Sequence, residues 1–401
     1  MSQRVAHLAD KSECTGCGVC KEVCPVSCIS FNKDTYGFYY PVIDEKKCIN
    51  CGSCNRHCPV INSIECNKNI AVYAGKAKEK QILKNSASGG AFSSIASWIL
   101  RNGGIVYGCY ADKDDGWKAK IVRVDKVTQL NKIQGSKYYE SNSIDSYKQV
   151  KEDLDNGLQV IYGARPCQVS ALYSYLGNNN IDNLITVDLV CHGVSSLSFF
   201  RDYITDYETK HKCKVVDYRF RAHKRNDDRG YFGEVVLRKS NGRTIHKPLL
   251  WQCDSYYYNY MMGTICRESC FSCRYSRIER IGDISLGDFW GIDKIIDGAQ
   301  VGNISLVLAN SNKGRDLIKC VDGLEIIEVD KENATKESSS LYYPATKPTR
   351  TRAEVLKLYD RGGWHCVESS FKKRNKKQKV GALLSYYTPS TLKKIVNGFS
   401  R

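Results

Sequence analysis

The cysteines between positions 14 and 58 constrain this chain more than any other feature. Cys14, Cys17, Cys20 and Cys24, followed by Pro25, follow the pattern C-x2-C-x2-C-x3-C-P. Cys48, Cys51, Cys54 and Cys58, followed by Pro59, repeat it with every position moved by 34. A repeat of this kind means two copies of one small unit. Three thiolates at i, i+3 and i+6 wrap one face of an iron–sulfur cube, while the fourth, held by its proline, turns away to the other cluster. The expected ligand sets are therefore Cys14, Cys17, Cys20 and Cys58 for cluster one, and Cys48, Cys51, Cys54 and Cys24 for cluster two. Gly16, Gly18 and Gly52 suit a backbone that curls around sulfur. The alternative, zinc, prefers two separated pairs and does not need eight ligands in this order. Cys28 and Cys66 are left over and read as small hydrophobes.

The first ~65 residues resemble a bacterial two-cluster ferredoxin, whose work is moving single electrons. Between the two copies, "CISFNKDTYGFYYPVID" reads as two short strands about a turn at Asp34–Gly37. Twenty cysteines in 401 residues would suggest disulfides in an exported chain. "MSQRVAHLADKSE", however, lacks the apolar stretch of a secretory leader, so reduced thiols in the cytoplasm are expected. No run approaches the roughly 18 apolar residues of a spanning helix. The net charge of +17 points to acidic partners or surfaces, and "KKRNKKQK" at Lys372–Lys379 concentrates it. With no nucleic-acid motif beside it, that stretch reads as a solvated tail or a peripheral membrane contact, and no nucleic-acid partner is expected.

From Ala71 the texture changes to alternating strands and helices. Ser88-Gly89-Gly90 precede a helix-like run from Ala91 to Leu100, an arrangement that exposes N–H groups to an anion such as phosphate; an ordinary cap by Ser86 or Ser88 is the plainer reading. "GGIVYGCYA" and "AKIVRV" read as strands, and Ile144–Leu154 as a helix. "LQVIYG" leads into Cys167 at a helix start, and "LITVDLVCHGVSS" carries Cys191-His192-Gly193 at its carboxyl end, where ligands sit in open α/β sheets. A more antiparallel region with an Asn241-Gly242 hairpin follows. A helix, "DSYYYNYMMGTI", then delivers Cys266, Cys270 and Cys273. Cys270 and Cys273 form a chelating pair that needs two more thiolates. Cys167 and Cys191 are the natural donors, with Cys266 as the substitute for either, and a redox disulfide is the alternative. The C-terminal "VGALLSYYTPSTLKKIVNGF" has loosely helical apolar spacing, suited to docking on the body or to a membrane surface.

Taken together, "SGGAF", "GSKYYES", "PCQVSAL", "DLVCHGVSS", "RESCFSC" and "RIGDISLGDFWG" resemble the beta subunit of coenzyme F420 hydrogenase/dehydrogenase, over Ile70 to Tyr343. The resemblance implies a flavoprotein with FAD and a third 4Fe–4S cluster beside it, exchanging hydride with a deazaflavin or another two-electron partner. Carried onto this chain, it puts Ser88, Gly89, Gly90, Ser136 and Lys137 at the flavin. It also puts Cys167, Cys191, Cys270 and Cys273 at the cluster, and uses Asp283 and Gly287–Gly291 to shape both surroundings. "GARPCQ" has one residue more than the family's usual spelling. The fused ferredoxin resembles bacterial relatives found among genes for surface-polysaccharide synthesis.

The expected fold is α+β to α/β, a small two-cluster ferredoxin module followed by a mixed α/β flavin-binding body. Its regions are 1–66, 67–180, 181–345 and a basic tail at 346–401. The expected function is an iron–sulfur flavoprotein oxidoreductase acting on a small organic substrate or deazaflavin, with a redox donor or acceptor protein as partner. The alternatives are a non-catalytic electron-transfer subunit of a hydrogenase or formate dehydrogenase, and a scaffold recruited by its tail. Among acid–base groups only His192 is a candidate.

Overall fold

The computed structural model describes residues 8–177, 181–224, 227–299 and 303–387; the end of the expected C-terminal helix lies outside them. In the N-terminal module each cysteine triplet passes through a single helical turn, Val19–Glu22 and Ser53–Arg56, entered by a left-handed glycine. Gly18 (φ 86°) has two reasons to lack a side chain, because an added Cβ would also lie 2.3 Å from Ile144 Cγ1. The predicted strands are there: β1 (Ile29–Lys33) and β2 (Tyr39–Ile43) form an antiparallel hairpin. Its turn is closed by Asp34 Oδ1, which accepts from the N–H groups of Tyr36 (3.0 Å) and Phe38 (2.9 Å).

The body is built on one eight-stranded sheet. Its strands are β3 (Ala71–Ala77), β4 (Ile105–Asp112), β5 (Lys118–Val124), β6 (Val160–Gly163), β7 (Leu184–Leu189), β11 (Ile284–Asp288), β12 (Ser305–Ala309) and β13 (Leu324–Glu328). They run in the order β13-β3-β12-β11-β7-β6-β4-β5. The pairs β4–β6, β6–β7 and β7–β11 are parallel and the other pairings are antiparallel. The parallel strands read as unbroken apolar runs because both faces are covered. Val106, Ile161, Ile185 and Val187 pack with the Ala91–Arg101 helix on one face. Ile105, Tyr107, Val160, Tyr162 and Leu184 pack with the Ile144–Asp155 and Pro166–Leu176 helices on the other. Residues from both sides of position 180 share this sheet.

A separate three-stranded antiparallel sheet, β8 (Cys213–Lys224), β9 (Asp227–Lys239) and β10 (Thr244–Leu249), turns at Gly242 as expected. It closes over an aromatic core of Phe200, Tyr203, Tyr218, Phe220, Tyr256 and Trp364. Trp364 comes from the helical stretch Thr349–Arg374, which is broken at Gly362–Gly363. It is 2% exposed and donates Nε1–H to Ser255 Oγ (3.0 Å). The start of the basic tail is thus fastened to the body, and among the described residues no helix is long and apolar enough to cross a membrane.

Candidate functional site

The N-terminal cysteines separate into two groups with the exchange that the repeat predicts. Cys24, Cys48, Cys51 and Cys54 line one cavity, walled by Ile29, Ile43 and Ile49. The thiol of Cys17 has Cys14 and Cys58 as electrostatic neighbours, and Cys20 has Cys14, Cys17 and Cys58, with Cys54 beyond. Cys58 therefore falls with the first triplet and Cys24 with the second. Burial pushes the Cys17 thiol up to about 12 and raises Cys20 and Cys54; such thiols stay protonated until a metal displaces the proton. Among the described residues no three His, Cys, Asp or Glu side chains close to the spacing of a single metal ion.

A second cavity is lined by Cys167, Cys191, Cys270 and Cys273, which come from three separate segments. Cys167 opens the Pro166–Leu176 helix, Cys191 follows β7, and Cys270 sits within the short turn Glu268–Ser272 with Cys273 directly after it. Burial pushes the Cys191 thiol up to about 11 and raises Cys270 further. Arg165 lines the cavity with Cys167, Cys191 and Cys270 around its guanidinium. It is held by Gln168 Oε1 (3.1 Å) and Ser141 O (3.2 Å). A fixed cation there offsets the negative charge of four thiolates. Thr15, also on the wall, has a buried Oγ1 without a hydrogen-bond partner among the described residues. Cys266 is not on the wall; it is fully buried, its Sγ facing Tyr260 O at 3.9 Å. Gly193 (φ 132°) takes the chain past Cys270, whose Cβ an added side chain would approach to 3.4 Å. His192 lines the cavity, and its Nε2 must carry a proton because it faces Met261 O (3.1 Å). Burial lowers its pKa, which favours the neutral ring.

The two cysteine systems adjoin. Cys167 is an electrostatic neighbour of Cys17. Arg267, 1% exposed, clamps the seam: Nε donates to Cys14 O (2.8 Å), Nη2 to Tyr39 O (2.8 Å) and Nη1 to Glu140 Oε2 (3.2 Å). Its guanidinium also stacks 4.2 Å over the Tyr40 ring. Arg274 donates to Pro59 O and Val60 O, and Tyr147 OH to Cys17 O. The loop bearing Cys273 is fixed from behind by a buried pair, Arg280 Nη2 to Asp188 Oδ1 at 2.7 Å, with Arg280 Nη1 donating to Tyr275 O. Asp283 stands away from both cavities, accepting from Thr186 N, Ser311 Oγ and Tyr173 OH. It anchors β11 to β7.

The other residues expected at a flavin lie along the carboxyl rim of the parallel strands. Gly90 (φ 81°) is the N-cap of the Ala91–Arg101 helix and no side chain caps it. Ser86 and Ser88 donate instead to Ile82 O and Ile304 O. Gly89 is required by packing, since a Cβ would lie 2.3 Å from Gly75 O and 2.4 Å from Ser305 N. Ser94, in the first turn, has a buried Oγ without a hydrogen-bond partner among the described residues. Ser136 and Lys137 sit on the loop after β5, where Lys137 Nζ donates to Gln134 O (2.7 Å) and Gly135 O (3.1 Å) and burial lowers its pKa. Gly287–Gly291 leaves β11 at the same rim, and Asp288 pairs twice with the buried Arg221 (2.7 and 3.1 Å).

Comparison with known families decides the kinship. Two family models, both described as "Coenzyme F420 hydrogenase/dehydrogenase, beta subunit", match the body. The one for the amino-terminal part matches residues 72–147, and the one for the carboxyl-terminal part matches residues 158–335. The chain belongs to the family of coenzyme F420 hydrogenase/dehydrogenase beta subunits. Two "4Fe-4S dicluster domain" families match residues 13–62 and 40–93. This beta-subunit relative therefore carries an iron–sulfur dicluster module at its front. The F-type subunit of the F(420)H(2) dehydrogenase from Methanosarcina mazei is 22% identical over 216 residues, 51% of this chain and 60% of that protein's length. A chain of the F420-reducing [NiFe] hydrogenase complex from Methanosarcina barkeri aligns at 17% identity and TM-score 0.44, over 74% of this chain and 94% of that one.

Sequence reasoning missed two residues at these sites, Arg165 and Arg267, and read Cys28 only as a small hydrophobe. Nothing local marks an arginine destined for burial. Cys28 lies outside the ligand pattern, yet it lines the cavity of Cys24, Cys48, Cys51 and Cys54. Cys66, by contrast, packs at the edge of the core as a small hydrophobe would.

Proposed function

We propose that this chain is an iron–sulfur flavoprotein that passes electrons between its dicluster module and a two-electron partner. Cys14, Cys17, Cys20 and Cys58 hold one 4Fe–4S cluster and Cys24, Cys48, Cys51 and Cys54 the second. Cys167, Cys191, Cys270 and Cys273 hold a third, and FAD lies along the rim from Ser88–Gly90 to Ser136 and Lys137. One observation carries the reading: four thiols from three segments line a single cavity, and Cys167 there neighbours Cys17 of the module. The uncapped helix at Gly90 and the unpartnered Ser94 hydroxyl fit the phosphate end of such a cofactor. A bound flavin supplies the step between one-electron carriers and hydride chemistry. The chain itself excludes water from the inner thiols, offsets their charge with Arg165, and fixes the neutral His192 ring beside Cys191. The substrate is a small organic molecule or a deazaflavin; a setting in surface-polysaccharide synthesis rests on the resemblance alone.

Anaerobic purification with iron, sulfide and flavin assays tests this. Roughly twelve irons per chain with flavin is the expected content. Roughly eight irons without flavin leaves the module and removes the enzyme. A second reading, an electron-transfer component inside a larger complex, is favoured by the name of the curated relative, a subunit of a dehydrogenase. It predicts stable co-purification with a partner and no turnover alone.

A further inference from the structure

Cys28 packs with Ile29 and Ile43 in the apolar wall of the second thiol cavity, and its sulfur also meets a ligand thiol. Its Sγ lies 3.4 Å from Cys24 Sγ, and its backbone N–H points at the same sulfur (3.3 Å). The residue is 5% exposed and lines the cavity shared by Cys24, Cys48, Cys51 and Cys54. Ser27, in a left-handed conformation (φ 49°) that a non-glycine residue rarely adopts, folds the chain back to bring it there. The internal repeat supplies the control. At the equivalent place in the second copy stands Asn62, whose Nδ2 donates to Asn55 O (2.7 Å) and Arg56 O (3.3 Å). The extra thiol belongs to the first copy only.

We propose that Cys28 is the fifth thiol of the second cluster site, donating its S–H to the Cys24 sulfur while Cys24 ligates, and taking over the iron when Cys24 is lost. The proposal rests on reading Cys24, Cys48, Cys51 and Cys54 as one cluster's ligands. In the exchange the Cys28 S–H bond breaks and an iron–sulfur bond forms at the position Cys24 vacates. The proton leaves to solvent, the cluster keeps four thiolates, and no electron moves.

The test uses the full-length chain purified without oxygen, as wild type, Cys24→Ala, and Cys24→Ala with Cys28→Ala. Iron and acid-labile sulfide are counted, and the reduced proteins are compared by electron paramagnetic resonance. Cys24→Ala is expected to keep the wild-type iron content, and the double variant to lose about four irons. Equal loss in both variants, or a three-iron signal in Cys24→Ala, overturns the exchange. Should Cys24→Ala not accumulate as folded protein, Cys28→Ala alone decides. Its second cluster should have a more negative midpoint potential, because a hydrogen bond to a ligand sulfur favours the reduced state. An unchanged potential sinks the proposal. A wild type without iron removes the cluster reading itself, whereas a loaded wild type beside a depleted Cys24→Ala removes only the role of Cys28.

Discussion

Arg267 shows how much of this molecule rests on single buried side chains. It joins Cys14 and Tyr39 of the module to Glu140 of the body. Arg267→Met should leave Glu140 buried without its partner and cost about 3–5 kcal/mol, read as a lower urea midpoint of the anaerobic protein. Glu140 itself gives a pH signature. Burial raises its carboxyl from 4.5 to about 7, against the opposing pull of Arg267. A raised acid contributes stability that is complete below the unfolded value and is lost as pH rises through the folded one. The wild type should therefore lose stability between pH 4.5 and about 7, while Glu140→Gln should lose less across that window, keeping only the slope of other raised acids such as Asp254; parallel curves would refute the assignment. None of this was legible in the sequence, because a buried Arg–Glu pair looks like any other charged residues until the fold brings them together.

Elements were read more successfully than contacts. Both strands of the first hairpin, the helix after Gly90 and the Gly242 turn are where local pattern put them. Each is specified by neighbours in the chain: alternation, a glycine at positive φ, an Asp at a turn. Gly89 was expected at a ligand, and packing also demands a glycine there, because its loop closely approaches β3 and β12. The long C-terminal helix was read chiefly through its charge, and its buried face was overlooked because apolar residues there are sparse. Trp364 carries that face. Trp364→Ala should cost roughly 3–5 kcal/mol by loss of aromatic packing, and should loosen the Thr349–Arg374 stretch toward proteolysis before the rest of the chain.

At the scale of the whole molecule, the repeat fixed the module because its ligands are a few residues apart. The set Cys167, Cys191, Cys270 and Cys273 was named from strand ends and a resemblance, and the sheet brings its donors, more than a hundred residues apart, to one cavity. Those donors should behave as one set. Cys191→Ser and Cys273→Ser should each lose about four irons and leave the two N-terminal clusters intact by iron count and electron paramagnetic resonance. If either substitution strips the front module as well, the third site is not independent.

Cys51 of the second site is exposed while Cys17 and Cys20 of the first are buried, and this gradient has a consequence for handling the protein in air. Dioxygen should reach the outer cube first and leave the inner ones coloured for longer, so bleaching should proceed in two stages with the first confined to the Cys24–Cys54 site. A single uniform fading would mean that the inner thiols are no better sheltered than the outer.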